Sequence, residues 1–250
     1  MKNIFYSEIK SNVEVADKIF RLEIISPDIS ENAKPGQFIT IQLSEDFTLR
    51  RPFGIASAKH GCVKIFYRVV GEGTKFLSDM KVGEKLNILG ALGNGFNMDI
   101  GGKILLVGGG MGLAPLLNVA ENYKYTDVLI GAKDKREAIF WYREFKPVSK
   151  AFFVTTDDGS LGRRGFTTAL LPEVLEVEDY SAIYTCGPLP MMQEVAYESM
   201  AREISCQVSF EKRMACGLGA CLSCSIDTIH GRKKICKDGP VFNAEEIFEL

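Results

Sequence analysis

Histidine is almost missing from this chain: His60 and His230 are the two among 250 residues. Catalytic triads and metal sites built on imidazole therefore have almost no raw material. Both histidines adjoin a glycine, Gly61 and Gly231, as expected of exposed turns. An excess of one charge is missing too. Lys plus Arg number 30 against 32 Asp plus Glu, and a net charge of -2 offers no general attraction for nucleic acid. No apolar run reaches the roughly 18 residues of a membrane span, and the opening MKNIFYSEIK lacks the apolar stretch of a secretory signal. These absences predict a cytoplasmic protein with no membrane span and no nucleic-acid partner. What is present, 46% hydrophobic and 25% charged residues, suffices to bury a core. The length is near the limit for one core, so two or three domains are expected.

The apolar pattern changes character along the chain. Up to about Gly102 it consists of short runs, Ile19 to Ile25, Phe38 to Leu43, Val63 to Val70 and Leu86 to Leu89, separated by turn chemistry such as Lys34-Pro35-Gly36. Such spacing predicts a small antiparallel barrel or sandwich. Beyond it, the runs Lys103 to Val107, Val128 to Ala132, Phe152 to Thr155 and Ala182 to Thr185 alternate with helical stretches such as Met111 to Asn122, which predicts a mainly parallel α/β sheet. After a last strand near Gln207 to Phe210 the chain turns rich in Cys and Gly. The expected fold is thus an α+β multidomain chain. An antiparallel β-barrel spans 1–102, an α/β parallel-sheet nucleotide-binding domain 103–210 and a small cluster-binding domain 211–250, packed together without linkers.

Four of the seven cysteines, Cys216, Cys221, Cys224 and Cys236, crowd into the last unit with spacing C-x4-C-x2-C-x11-C. In a chain without an export signal this reads as metal ligation before disulfides. Four thiolates can hold a 2Fe-2S cluster, and the first three match plant-type ferredoxin spacing. Ala215, Gly217, Gly219 and Ala220 let the backbone wrap closely, so that N–H groups can point at sulfur. The competing reading is a structural zinc site, which usually shows two C-x2-C knuckles where this chain has one. Cys62 and Cys206 sit in strand-like runs and are expected to be small core residues.

At Leu105 to Leu117 the chain reads LLVGGGMGLAPLL. A Gly-rich turn between a buried strand and a helix can bring amides to a pyrophosphate, or can serve tight packing alone. As a dinucleotide fingerprint it fails, because Leu113 holds the third glycine position. Its spacing does fit G-x-G-x-G-x-x-P, from Gly108, Gly110 and Gly112 to Pro115. With RRPFGIAS (Arg50 to Ser57), YRVVGEGT (Tyr67 to Thr74) and YTCGPLPMM (Tyr184 to Met192) in the same order, essentially the whole chain resembles the ferredoxin-NADP reductase family. The resemblance implies that the barrel binds FAD and the α/β domain a nicotinamide. Arg51, Pro52, Phe53, Gly54, Tyr67, Arg68, Val69, Gly73 and Thr74 would then contact flavin or its diphosphate, and Arg51 suits a phosphate by bidentate pairing. Gly108, Gly110, Gly112, Pro115, Cys186, Gly187 and Pro188 would border the nicotinamide site, with Cys186, near the nicotinamide, as the one catalytic candidate and none certain. Gly54 departs from the family's usual Ser, removing a hydroxyl expected near the flavin ring. TTDDGSLGRRGF (Thr155 to Phe166) resembles the loop near the bound nucleotide. There Asp157 and Asp158, adjacent in a turn, are not expected to form an acid/base pair, and Arg163 or Arg164 could meet a phosphate or be solvated surface.

Within the family, the short cysteine-rich appendage, with RMACGLGACLSC and CKDGPVF, resembles the electron-transfer subunits of two-subunit, NAD-dependent dihydroorotate dehydrogenases. That likeness implies FAD, a 2Fe-2S cluster and NAD as cofactors, and a partner subunit carrying FMN that oxidises dihydroorotate in pyrimidine synthesis. Two catalytic and two electron-transfer subunits would form a heterotetramer. A separate argument points the same way: barrel, nucleotide domain and cysteine loop use up all 250 residues, leaving no domain for an organic substrate. The alternatives are the small subunit of an electron-bifurcating NADH-dependent ferredoxin:NADP oxidoreductase or of a sulfide dehydrogenase, and, from a different class, a non-enzymatic zinc-binding scaffold. The sequence leaves NAD against NADP open.

Overall fold

The computed structural model describes residues 4–249. Its first seven strands are β1 (Ile4–Ala16), β2 (Ile19–Ile25), β3 (Phe38–Gln42), β4 (Arg51–Gly54), β5 (Ser57–Lys59), β6 (Cys62–Arg68) and β7 (Lys85–Leu92). They form one antiparallel sheet in the order β4-β3-β7-β1-β2-β6-β5. The two edge strands follow each other in the chain. Between them Ile55 N donates to Gln37 O and Ala56 N to Lys64 O, so the sheet curls into a barrel. Period-two alternation decides what faces inward: Leu22, Ile24, Ile39, Ile41, Val63, Ile65 and Ile88 are buried in one cluster. Helix α1 (Pro27–Asn32) adds Ile29 to this core, and α2 (Glu72–Asp79) adds Leu77.

The second sheet contains β8 (Ile104–Gly109), β9 (Thr126–Ala132), β10 (Phe152–Thr156), β11 (Arg163–Arg164), β12 (Ala182–Cys186) and β13 (Ser205–Ser209). Their order is β11-β10-β9-β8-β12-β13, every pair parallel. Helices α3 (Leu113–Asn122), α4 (Lys135–Phe145), α5 (Leu171–Val177) and α6 (Leu189–Ala201) connect them. Leu105, Val107, Leu129, Ile183 and Val208 pack into one face's core, and Ile104, Leu106, Val128, Ile130 and Tyr184 into the other's. Burial on both faces is why these strands read as continuous apolar runs. The chain leaves β8 towards β9 and later returns on its other side as β12. The carboxyl ends of β8 and β12 therefore flank a topological switch point, where α/β sheets open a crevice for ligands.

The remaining segment forms a hairpin of β14 (Ser225–Thr228) and β15 (Gly231–Lys234), a single turn α7 (Ile235–Asp238) and β16 (Val241–Asn243). β16 pairs antiparallel with β13 and completes a seven-stranded sheet. The cysteine-rich segment is therefore tied into the parallel sheet, a long-range pairing its own residues do not announce. The three units also share cores. Phe38, Leu89 and Leu92 of the barrel join Met214, Cys224, Cys236, Phe242 and Phe248 in the cluster on one sheet face, and Ile19, Ala56 and Phe66 join the other. Polar ties reinforce the seam: Ser57 Oγ donates to Glu121 Oε2 at 2.6 Å, and Lys64 pairs with Glu144 at 3.6 Å.

Candidate functional site

Two cavities adjoin at the switch point. The first, about 510 Å³, lies between barrel and sheet. Pro52, Phe53 and Gly54 of β4, Tyr67 and Arg68 of β6, Thr74 of α2 and Pro115 of α3 line it. Arg51 and Gly73 meet beside this cavity. A Cβ on Gly73 would lie 2.9 Å from Arg51 Nε, so the missing side chain lets the guanidinium rest against the first turn of α2. Thr74 Oγ1 closes that turn by accepting from Val70 N at 2.9 Å. A cation beside a helix start is a cradle for an anionic group. Val69 turns away, donating its N–H to Lys18 O and lining a separate shallow hollow. At Gly54 an added Cβ would sit 3.5 Å from Pro115, ordinary contact, so the backbone does not demand glycine where the family has Ser.

One wall of this cavity was not foreseen. Glu211, Lys212, Arg213 and Met214, the segment between β13 and Cys216, face the barrel residues across it. Their adjacency to the cysteines was the signal available.

The second cavity, about 800 Å³, opens over the carboxyl ends of β8, β9 and β10. Gly110, Gly112, Gly187 and Pro188 line it, whereas Gly108, Pro115 and Cys186 do not. Gly108 serves packing: a Cβ there would lie 2.5 Å from Leu113. At Gly112 the obstacle is backbone, Cys186 O at 2.3 Å, so the loop folds against the β12 turn only without a side chain. Cys186 is wholly buried behind that contact, and burial raises its thiol well above the ordinary range. Arg68 and Glu211 border both cavities. Arg68 Nη2 lies 2.5 Å from Glu137 Oε1. Asp134 caps α4 by accepting from Arg136 N and Glu137 N, which fixes Glu137 in the first turn beside the glycine loop. Asp157 lines this cavity, while Asp158 is held by Ser160, so the two carboxyls do different things. Arg163 pairs with Glu173 and, like Arg164, lies outside both cavities. His60 is an exposed turn residue with φ 53°, and His230 is exposed at a hairpin end.

The four cysteines come together as two pairs. Burial works to raise the Cys216 thiol, but N–H groups of Leu218, Cys221 and Ala220 and the Cys221 thiol outweigh it and bring it down to about 6. Cys236 lies against Cys224 and is pushed up to about 12 by burial and that neighbour. Leu218 N donates to Cys216 Sγ at 3.3 Å, Gly219 N to Cys236 Sγ at 3.1 Å and Cys236 N to Cys224 Sγ at 3.4 Å. Gly217 and Gly219, at φ 67° and 82°, supply the left-handed turns that aim these amides inward. Among the described residues no three His, Cys, Asp or Glu side chains converge on a single-ion position. Four thiols in one loop, with backbone N–H groups donating to sulfur, would suit a 2Fe-2S cluster. Cys206 is a buried core residue and Cys62 a half-buried one.

A flavin-sized cavity on a barrel, a glycine-loop cavity at a switch point and a paired-thiol loop together define a reductase of the ferredoxin-NADP reductase fold with an added iron-sulfur segment. Solved structures agree. The chain matches that of an NADH-dependent reduced ferredoxin-NADP oxidoreductase, described for flavin-based electron bifurcation, with TM-score 0.88 and 32% identity over 98% of this chain and 91% of that one. A ferredoxin NADP+ reductase from Neisseria gonorrhoeae shares the fold at 16% identity and TM-score 0.66, covering 86% and 96%. Residues 211–248 match the iron-sulfur cluster binding domain of dihydroorotate dehydrogenase B. Dihydroorotate dehydrogenase B (NAD(+)) electron transfer subunits from Caldanaerobacter subterraneus subsp. tengcongensis and Clostridium acetobutylicum are 39% and 36% identical. Each covers 96% of this chain, over 97% and 95% of their own lengths. The chain belongs to this family of electron transfer subunits. No helix among the described residues is long and apolar enough to cross a membrane.

Proposed function

We propose that the chain passes electrons from an FMN-containing dihydroorotate dehydrogenase subunit, by way of 2Fe-2S and FAD, to NAD in pyrimidine biosynthesis, as a cytoplasmic heterotetramer with two copies of each subunit. The observation that carries this reading is the shared wall. Met214, two residues from Cys216, borders the first cavity, and Arg68 and Glu211 border both, so cluster loop, flavin cavity and nucleotide cavity stand in series. Residues 1–102 then serve FAD, 103–210 NAD and 211–250 the cluster. A bound flavin supplies the exchange between a two-electron hydride and single electrons that a 2Fe-2S centre requires.

The protein's own groups do the holding. Arg51 with the first turn of α2 neutralises the FAD diphosphate, and Pro52, Phe53, Gly54, Tyr67 and Thr74 shape the flavin cavity. The N–H groups around Gly110 and Gly112 receive the dinucleotide, with Gly187 and Pro188 as its far wall. Cys186, buried behind Gly112, positions that loop. Cys216, Cys221, Cys224 and Cys236 hold the cluster, with Leu218, Gly219 and Cys236 amides donating to sulfur.

In the assembled complex, Cys216→Ser is expected to interrupt dihydroorotate-to-NAD electron flow, and the isolated variant to keep most NADH oxidation with artificial acceptors. Iron should fall well below the roughly two per chain of a 2Fe-2S protein. A folded, FAD-loaded variant with normal flow would remove the cluster from the route. Oxidation of dihydroorotate by the isolated wild-type chain would overturn the two-subunit reading. The likeness to the bifurcating oxidoreductase favours a second reading, the small subunit of such an enzyme. Co-purification separates them by the partner recovered.

A further inference from the structure

We infer that Arg50 tunes the 2Fe-2S centre, as a fixed cation that the barrel holds on Thr40, the residue whose methyl meets the cysteine loop, and that makes the centre easier to reduce. This rests on the four-cysteine cluster proposed above. Arg50 and Arg51 are neighbours in sequence, yet their side chains part company. Arg51 rests against Gly73 by the flavin cavity. Arg50 is fastened elsewhere: Nε donates to Thr40 Oγ1 at 3.0 Å, and Nη2 donates to Asn87 O and Oδ1, both at 2.8 Å, and to Thr40 O at 3.3 Å.

All these acceptors are neutral. They fix the guanidinium in place without cancelling its charge, and no carboxylate among the described residues forms an ion pair with it. Burial accordingly works against the charged form of Arg50. Thr40 connects this cation to the cysteine loop. Its hydroxyl accepts from Arg50, while its methyl lies 3.3 Å from the point a Cβ on Gly217 would occupy, and Leu92 Cδ1 lies 3.5 Å from the same point. Gly217 directly follows Cys216. Reduction of the centre adds one negative charge on the far side of this contact, and a hydrogen-bonded cation that is half-buried and has no carboxylate partner favours that state.

The test is a redox titration of the purified holo-subunit followed by electron paramagnetic resonance, with FAD followed in the visible range. In Arg50→Gln the ratio of reduced to oxidised cluster at a fixed potential should fall about tenfold, a downward shift of about 59 mV for a one-electron couple. The FAD midpoint and iron content should stay as in wild type. Arg50→Lys should restore most of the shift, since it keeps the charge, and Thr40→Val, which frees Nε but keeps the methyl contact, should shift the midpoint less and in the same direction. A fully iron-loaded Arg50→Gln with the wild-type midpoint overturns the inference, as do equal shifts for Gln and Lys. Should Arg50→Gln fail to assemble its cluster, an unmoved midpoint in Thr40→Val overturns it. A wild-type protein without any 2Fe-2S signal sinks the underlying cluster assignment, whereas a normal signal with unmoved midpoints sinks this inference alone.

Discussion

The two cavities are built differently. The first cavity, proposed for flavin, has walls from three places, β4 and β6 of the barrel, α3 behind the glycine loop, and the Glu211–Met214 segment ahead of the cysteines. The second cavity is almost all strand ends and turns of one sheet, and among the described residues Arg68 is the single barrel residue that reaches it. A cavity assembled from side chains of several units tolerates change at one wall. One shaped by backbone passing within contact distance of backbone does not, and Gly112 under Cys186 O is the clearest case.

That contrast can be broken or sharpened by three substitutions. Arg51→Ala should have the largest effect on ligand: losing charge-assisted hydrogen bonds of roughly 1.5–3 kcal/mol lowers FAD affinity about 10- to 150-fold. Flavin content and circular dichroism check it, and a flavin-depleted yet folded protein is the expected outcome. Gly112→Ala should act on the fold and the nucleotide together. A methyl driven into the β12 turn costs about 1–3 kcal/mol by overpacking, read as a lower urea midpoint alongside weaker NADH binding, with FAD affinity little changed. Gly54→Ser should be the mildest. An added Cβ meets Pro115 at ordinary distance, so stability should stay within about 0.5 kcal/mol of wild type. Flavin binding should persist, and a large loss of either would show that this wall is as unforgiving as the glycine loop.

Legibility followed range along the chain. The cysteine spacing is local, and small residues between Cys216 and Cys224 state what the loop must do. The central strands of the parallel sheet, apolar on both faces, were legible for the same reason. The two-residue strand Arg163–Arg164 and the edge strand Val241–Asn243 were not, because each exists through its partner, β10 or β13, and carries no apolar signature of its own length. The glycine loop was ambiguous between ligand and packing, and the structure divides it: Gly108 packs on Leu113, while Gly110 and Gly112 face the cavity. Arg51 was legible as a phosphate candidate from its motif, whereas Arg50 was not assigned a role, since only the positions of Thr40 and Asn87 decide where its guanidinium goes. The Met214 wall was hidden because it depends on the chain folding back over the barrel from the far side of the sheet.

The pairing of β16 with β13 gives the cysteine segment an unusual tether. It leaves the sheet at Ser209 and rejoins it at Val241 directly alongside, so the whole excursion is a loop between two hydrogen-bonded neighbours. Its length can vary without moving the strands that frame it. The same strand also shields the open side of β13, and a chain whose cysteine loop came apart would put a bare strand edge on offer to other molecules.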